Sequence, residues 1–210
     1  MLYIKKGKEP RSLTEYKNMA HADYDGCNKN DIRAALMEEQ GGLCAYCMCR
    51  LNQVDDVRIE HYIPQAICPE KVLSYKNMLG VCHGGSKIKN TGADGLTCDA
   101  HKKDALITVN PWDENSIKKI EYKMDGTIFS RDSDIDGDLD GTLNLNHPAS
   151  QLKRSRKQVL DSLIARLCKV YGKGLWAKPA LQKELSKILN TAEKPPYCGI
   201  MIWYLKKHIR

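Results

Sequence analysis

Four cysteines in the first half of the chain have the order and spacing of zinc ligands. Cys44 and Cys47 form a Cys-x-x-Cys pair, and Cys82 and Cys98 follow with fifteen residues between them. A tight Cys-x-x-Cys pair typically supplies one half of a tetrahedral zinc site, and later cysteines supply the other half. We predict that these thiolates hold one structural zinc ion, which would contribute on the order of 10 kcal/mol to folding.

Other cysteines and two histidines leave alternatives open at this site. His101 stands at Cys98-x-x-His101 spacing and can replace one thiolate, and His83 directly follows Cys82. Individual cysteines can equally be ordinary buried thiols without a metal. The segment 83–95 is rich in Gly and Lys and predicts a loop. We interpret the cysteines outside the pattern as structural or incidental: Cys27, Cys49, Cys68, Cys168 and Cys198.

Side chains suited to phosphodiester hydrolysis lie within the same region. Glu60 and His61 form an adjacent acid–histidine pair, and Asn77 and Asp99 follow. Hydrolysis needs an activated water and a cation that neutralises charge on the phosphate and the leaving oxygen. A neutral histidine accepts a proton well near pH 7. Neighbouring residues of a strand point to opposite faces, so Glu60 and His61 can serve metal and water separately if the strand twists or ends there.

Helices are predicted on both sides of this region. Ser12-Leu-Thr-Glu15 is a capping-box pattern that predicts a short helix to about Met19. Residues 30–40 have the composition of a helix, and Gly41-Gly42 would end it. Apolar residues at helical spacing predict a long helix over 149–171, with Pro148 where its first turn would begin. Two shorter helices are predicted over 181–189 and 200–209.

Strands are predicted in two hairpins. The first would pair Arg50-Leu51 with 57–63 across the polar loop at Asp55-Asp56. The second would pair 117–122 with 127–130 around Asp125-Gly126.

Three further segments carry charge or cysteine chemistry. Residues 97–106 predict a helix that begins near the last zinc-ligand candidate. The acidic segment 132–140 is interpreted as an exposed turn. Two basic pairs on the long helix, Lys153-Arg154 and Arg156-Lys157, are either nucleic-acid contacts or a solvated helix face.

Composition narrows the class of protein. The chain has 210 residues and a formal net charge of +7, which favours a polyanionic partner. Its nine cysteines are an odd number, and no apolar run at the N-terminus is long enough for a signal peptide. The sequence also contains no membrane-spanning apolar stretch. We therefore expect a cytoplasmic protein, and in that reducing compartment paired cysteines more often bind metal than each other.

Taken together, these motifs resemble the HNH endonuclease family, whose core is the ββα-metal finger. The order is Cys-x-x-Cys, acid–His-x-x-Pro, an Asn before an apolar–Cys segment, and Cys-Asp-x-x-Lys. By this resemblance His61 is the general base and Glu60 the first ligand of Mg²⁺ or another divalent ion. Asn77 matches the middle Asn, which orients the base or reaches the metal. Asp99 stands where the family usually has His or Asn, and an Asp can still bind a hard cation.

The resemblance also implies phosphate contacts and an overall architecture. Lys102 falls at the family's basic position, and we predict Lys102 and Lys103 as phosphate contacts. The expected fold is α+β, with a zinc-stapled ββα-metal nuclease core and helical flanks. We predict an N-terminal helical segment over 1–40, the nuclease core over 41–112, and a β-hairpin plus helical region over 113–210.

A wider resemblance, to the PtuB-type HNH proteins of Septu and retron-linked antiphage systems, covers most of the chain. It extends over residues 1–10, Cys44 to Pro111, Thr142 to Asn146 and Leu152-x-x-x-Arg156. The resemblance implies an obligate ATPase partner of the ABC type, PtuA, and a retron reverse transcriptase with its RNA or DNA as a further partner.

The predicted function is metal-dependent cleavage of DNA, or of RNA such as tRNA, as the effector of an antiviral complex. The alternative is a non-catalytic zinc-finger adaptor that binds nucleic acid or an ATPase. Zinc-dependent folding by itself does not require the Glu60-His61 pair, which favours the enzyme.

Overall fold

The computed structural model describes residues 1–86, 92 and 95–209, and the greater part of the predicted loop at 83–95 lies outside these residues. The chain combines helices with two small antiparallel sheets, so the α+β class is confirmed. In chain order the helices and strands are α1 (Arg11–Lys17), α2 (Lys29–Glu39), β1 (Arg58–His61), β2 (Met78–Val81), α3 (Cys98–Lys102), α4 (Glu114–Lys118), β3 (Ile120–Tyr122), β4 (Ile128–Ser130), α5 (Ser133–Gly137), α6 (Leu152–Tyr171), α7 (Lys178–Asn190) and α8 (Cys198–Ile209).

Both predicted N-terminal helices are present, but the predicted capping box at Ser12-Leu-Thr-Glu15 is wrong, because α1 begins at Arg11, after Pro10, and has no side-chain cap. The Asn28 side chain caps α2 by accepting hydrogen bonds from the backbone N–H groups of Asn30 and Asp31. After α2, Gly41 and Gly42 have φ angles of 64° and 73°, a left-handed conformation that ends a helix readily at glycine. The buried face of α2 packs against β2, and this contact places the sheet.

The first predicted hairpin is wrong in its pairing. Arg50 forms an isolated bridge with Leu43, and β1 instead pairs with β2, with Glu60 opposite Leu79. All residues of β2 are buried and apolar. Pairing β1 with β2 therefore buries more apolar surface than the predicted pairing of β1 with Arg50-Leu51 would. Gly80 permits the close packing of β2, because a Cβ there would lie 3.2 Å from atoms of α2.

Two segments differ from their predicted conformations. Helix α3 is shorter than predicted, and the chain leaves it at Lys103 with a φ of 50°. The acidic segment is not an exposed turn, because it forms α5 and a π-helical turn over Asp138–Thr142. Its apolar residues Ile135 and Leu139 are buried in the core, and the Asp138 carboxylate accepts the backbone N–H groups at 108 and 109. Burial of these two apolar side chains draws the whole segment onto the body of the protein.

The C-terminal elements largely confirm the sequence prediction. Strands β3 and β4 form the second hairpin, with Glu121 opposite Phe129. Residues 148–150 form a separate 3₁₀ turn, and α6 begins only after it. Helices α6, α7 and α8 pack together through buried leucines and isoleucines, and α8 also contacts β3.

One buried cluster joins apolar side chains from both sheets and from the cysteine region, and a smaller cluster lies between α1 and α2. The boundaries proposed at 40/41 and 112/113 stay a prediction. Among the described residues, no helix has both the length and the apolarity needed to cross a membrane.

Candidate metal centre and active-site cavity

Five thiols converge on one point of the core. We name Cys44, Cys47, Cys49, Cys82 and Cys98 the thiol cluster. The sulphur–sulphur distances are 3.9 Å for Cys44–Cys98, 3.7 Å for Cys47–Cys82 and 3.8 Å for Cys82–Cys98. Two ligands of a tetrahedral zinc ion with Zn–S bonds of about 2.3 Å lie about 3.8 Å apart, so these separations fit such an ion. The cluster can therefore hold a metal ion such as zinc.

Local backbone geometry brings the thiols together. In the segment between Cys44 and Cys49, Met48 adopts a φ of 62° and reverses the chain. The Met48 N–H donates to the Cys44 carbonyl, and the Cys44 N–H donates to the Cys49 carbonyl. Cys82 directly follows β2 and Cys98 begins α3, so the sheet and the helix each contribute one thiol.

The cluster contains all four predicted zinc ligands, and it also contains Cys49, which the sequence interpretation had set aside. The sulphurs of Cys44, Cys47, Cys49 and Cys82 lie within 4.8 Å of one another, whereas Cys98 is close to Cys44 and Cys82. These two groupings differ in the fourth thiol. The tetrahedral separations favour Cys98 in the set, and the overall proximity favours Cys49.

The two histidine alternatives are directed elsewhere. His101 Nδ1 lies 3.0 Å from the Thr142 carbonyl oxygen. His83 Nε2 lies 3.1 Å from the Asp55 carbonyl oxygen. Both rings are thus held by backbone carbonyls, while the thiols of the cluster face one another.

His61 ends β1 and is held by a carbonyl and an amide. Its Nε2 lies 2.8 Å from the Val72 carbonyl oxygen, which can only accept a hydrogen bond, so Nε2 carries the proton of the neutral ring. Its Nδ1 then accepts from the Gln65 side-chain amide at 2.9 Å. Burial lowers the pKa of His61 below its usual value, although the bond to Val72 opposes the change. The ring is therefore neutral near pH 7 with a lone pair on Nδ1.

Glu60 lies beside His61 in a buried network of charges. Lys102 Nζ lies 2.8 Å from Glu60 Oε1, and the Tyr46 hydroxyl donates to the same oxygen at 3.0 Å. Burial, reinforced by the nearby Asp99 carboxylate, raises the pKa of Glu60 to about 8 against the opposing effect of Lys102. Asp99 is also paired, with Arg58 Nε at 2.8 Å from its Oδ2. Two carboxyl groups and two basic side chains thus form one paired network, and the raised pKa of Glu60 leaves that group largely protonated near pH 7 until a cation binds.

A cavity of about 580 Å³ lies over this network. Acidic, imidazole and basic side chains from β1, from α3 and from the residues directly after α3 share its wall. Such a wall can accommodate an anionic ligand together with a hard cation. Its polar lining includes Arg58, Glu60, His61, Gln65, Asp99 and Lys103.

Asn77 directly precedes β2, and its side-chain amide bonds to the backbone of Ile63, not to a group in the cavity. The Asn77 Oδ1 accepts the Ile63 N–H, and its Nδ2 donates to the Ile63 carbonyl, both at 2.9 Å. The Asn77 backbone carbonyl also accepts from Tyr62. Both ends of the amide are used to clip the chain after His61 to the start of β2. The amide thus contacts neither His61 nor the carboxyl groups of the cavity, and the predicted role of Asn77 in orienting the base or reaching the metal stays a prediction.

The two lysines predicted to contact phosphate, Lys102 and Lys103, differ in exposure. The Lys102 side chain is 0% exposed and pairs with Glu60, so it does not reach a surface phosphate. This corrects the predicted contact. The physical reason is that the buried carboxyl group of Glu60 needs a partner inside the core, and Lys102 supplies it. Lys103 is exposed and lines the cavity.

Several residues of the site escaped the sequence interpretation. Arg58 shares a strand face with Glu60, because alternate residues of a strand point the same way, and this signal was available. Cys49 stands two residues after Cys47, a spacing that was also visible. Gln65 and Tyr46 offered no signal, because their contacts depend on how distant segments fold back.

Comparison with known proteins shows a similarity over part of the chain. No family model matches the chain. The chain is 25% identical over 142 residues to the Septu protein PtuB of Bacillus thuringiensis, in an alignment that covers 65% of this chain and 53% of that protein. The chain thus spans about half the length of the curated relative that it matches. Its sequence is similar to that of a Septu protein.

Proposed function

We propose that this protein is a metal-dependent endonuclease with an HNH-type ββα-metal core, which hydrolyses phosphodiester bonds of nucleic acid. One observation carries the proposal: His61, Glu60 and Asp99 line the same cavity, on a strand and a helix joined through a hairpin. A base and two carboxylates on one wall are the groups that single-metal phosphodiester hydrolysis requires.

The hydrogen bonds of His61 support its role as general base. The bond from Nε2 to Val72 orients the ring and leaves Nδ1 as the proton acceptor. Nδ1 accepts the proton of the attacking water after the Gln65 amide moves aside. A neutral ring at pH 7 is the competent form, and burial favours it.

Glu60 and Asp99 would hold Mg²⁺ or another divalent ion. When bound, such an ion supplies Lewis-acid stabilisation of charge on the phosphate and the leaving oxygen. Carboxylate oxygens are the ligands that hard cations prefer, and two carboxylates in contact repel each other unless a cation joins them. The two cations Lys102 and Arg58 offset that repulsion within the protein itself.

Phosphate contacts would come from Arg58 and Lys103, which are exposed basic residues among the described residues that line the cavity. Asn77 would position His61 indirectly, through its clip on Ile63. The thiol cluster would hold a structural zinc ion that joins the knuckle, the sheet and α3, with no part in the chemistry.

The cellular role that we propose is that of an antiphage defence effector. The similarity to the Septu protein PtuB supports it. The proposed partners are an ABC-type ATPase like PtuA and, in a retron-linked setting, a reverse transcriptase with its RNA or DNA. DNA and RNA, including tRNA, are both candidate substrates, and the net charge of +7 suits either.

The test is cleavage of DNA and of RNA by the purified protein with Mg²⁺, in the presence and absence of the ATPase partner. We expect His61→Ala and Glu60→Gln to lower cleavage by at least about 100-fold, the usual contribution of a general base. His208→Ala is the matched control, because His208 is exposed on α8, outside the cavity. If His61→Ala cleaves as well as the wild type, the catalytic assignment is wrong. Binding of nucleic acid without cleavage by any of these proteins would favour the zinc-finger adaptor.

A further inference from the structure

The thiol cluster contains one thiol more than a zinc ion needs. Structural zinc sites are almost always four-coordinate, and zinc binds thiolate with strong preference. The sulphurs of Cys44, Cys47, Cys49 and Cys82 lie within 4.8 Å of one another, and the Cys98 sulphur lies 3.9 Å from that of Cys44. All five thiols thus belong to one part of the core. The fifth thiol therefore requires an explanation beyond the predicted set.

Cys49 and Cys98 compete for the same position. The Cys49 sulphur lies within 4.8 Å of those of Cys44, Cys47 and Cys82. The Cys98 sulphur lies 3.9 Å from that of Cys44 and 3.8 Å from that of Cys82, which in turn lies 3.7 Å from that of Cys47. Those three thiols are thus common to both possible sets, and only the fourth ligand differs. A zinc ion bound by the three shared thiolates needs one further ligand, which either Cys49 or Cys98 can supply.

The two competing cysteines are attached to different elements. Cys98 is 0% exposed and begins α3 with a φ of 55°, a strained conformation for a residue with a side chain. Cys49 is partly exposed and belongs to the compact knuckle, where the reversal at Met48 returns it beside Cys44. Cys49 can thus approach the shared thiols without any movement of α3.

We propose that Cys49 is a fifth zinc ligand that substitutes for Cys98. Zinc would be held by Cys44, Cys47 and Cys82 together with either Cys98 or Cys49. This inference rests on the zinc site of the proposed function, but not on nuclease activity. The chemistry is an exchange of one thiolate for another on the same ion, with one proton released by the incoming thiol and one taken up by the outgoing thiolate.

The experiment measures zinc content and affinity in Cys49→Ser, Cys98→Ser and the double variant. Native mass spectrometry counts zinc on the folded chain, and chelator competition gives the affinity. We expect each single variant to retain one zinc ion within about tenfold of the wild-type affinity. Since loss of an outer-shell partner alone costs about 10–100-fold in metal affinity, the double variant should lose at least about 100-fold.

Cobalt substitution supplies a second readout. The thiolate-to-cobalt charge-transfer band should have four-thiolate intensity in the wild type and in both single variants, and three-thiolate intensity in the double variant. Cys168→Ser is the matched control, because Cys168 is a partly buried cysteine of α6 outside the cluster. Cys98→Ala is a second variant in case Cys98→Ser does not fold.

Two outcomes would overturn the inference. Zinc loss in Cys98→Ser or Cys98→Ala that equals that of the double variant would show that Cys49 is not a ligand. Equal loss in Cys49→Ser would show that Cys98 does not close the site. A wild-type protein without zinc would instead remove the zinc site of the proposed function, so the two failures are distinguishable.

Discussion

Arg156 is expected to stabilise the protein from inside, although its sequence neighbours led to a surface interpretation. It is 1% exposed, and its Nε donates to the Gly126 carbonyl at 2.6 Å. Its Nη2 donates to the Leu145 carbonyl at 2.9 Å and to the Asn146 Oδ1 at 3.0 Å. Arg156 thus joins α6 to the turn of the second hairpin and to the segment that precedes the helix.

The cost of Arg156→Ala can be worked out from these bonds. Asn146 Oδ1 keeps a donor, the Ile128 N–H, whereas the carbonyls of Gly126 and Leu145 lose the guanidinium. A hydrogen bond from a charged donor contributes about 1.5–3 kcal/mol. Burial lowers the pKa of Arg156, so the cation itself carries a desolvation cost that its removal recovers. We expect a net loss of about 2–4 kcal/mol in the free energy of unfolding.

The assay is urea unfolding of the zinc-saturated protein, followed by circular dichroism. Lys157→Ala is the matched control on the same helix, because Lys157 is half exposed and, within the part of the chain that the structure describes, forms an ion pair only with Asp161 one turn away. Such a surface pair contributes about 0.3–0.5 kcal/mol. A loss below about 1 kcal/mol for Arg156→Ala would refute the reasoning, because it would mean that the bonds to the two carbonyls are offset almost completely.

Three further predictions concern the clip, the hairpin turn and the metal. Asn77→Ala should lower the free energy of unfolding by about 1–3 kcal/mol, because the Ile63 N–H and carbonyl both lose their partner; an unchanged urea midpoint would contradict this. Gly126→Ala should lower the melting temperature strongly, because the φ of Gly126 is 89° and a Cβ there would lie 2.1 Å from the Lys153 carbonyl oxygen. Gly141→Ala is the control, because a Cβ at Gly141 would have no neighbouring atom within 4 Å. Equal melting temperatures for these two variants would refute the steric argument. Removal of zinc by a chelator should unfold the cysteine region, because a structural zinc ion contributes on the order of 10 kcal/mol and the stability of a domain is about 5–15 kcal/mol. An unchanged melting curve after addition of the chelator would count against the metal site.

Local features were predictable from the sequence. The stop at Gly41-Gly42, the turn at Asp125-Gly126 and the apolar spacing of α6 all act within a few residues, and each gave the observed element. The four cysteines of the predicted zinc set were also found together, because zinc-ligand spacing is a strong local constraint for Cys44 and Cys47.

The tertiary structure alone decided the pairing of β1 and the partners of the buried charges. Strand β1 pairs with β2 because β2 is apolar and buried, a property that depends on α2 packing over it. Lys102 turns inward because Glu60 lies beneath it, and Asn77 turns away from the cavity because Ile63 presents two free backbone groups. None of these partners lies within helical or strand spacing of the other.

The residue types by themselves thus determined the kind of chemistry available: thiolates for zinc, and an imidazole with carboxylates for a hard cation and water. Which side chains share the cavity, and which lie in the core, depended on long-range packing. The spacing of Cys49 from Cys47 is visible in the sequence, but the reversal at Met48 is what places its thiol beside the others. The spacing of residues along the chain constrains contacts only between residues that are close in sequence. Burial and charge pairing join segments that lie tens of residues apart.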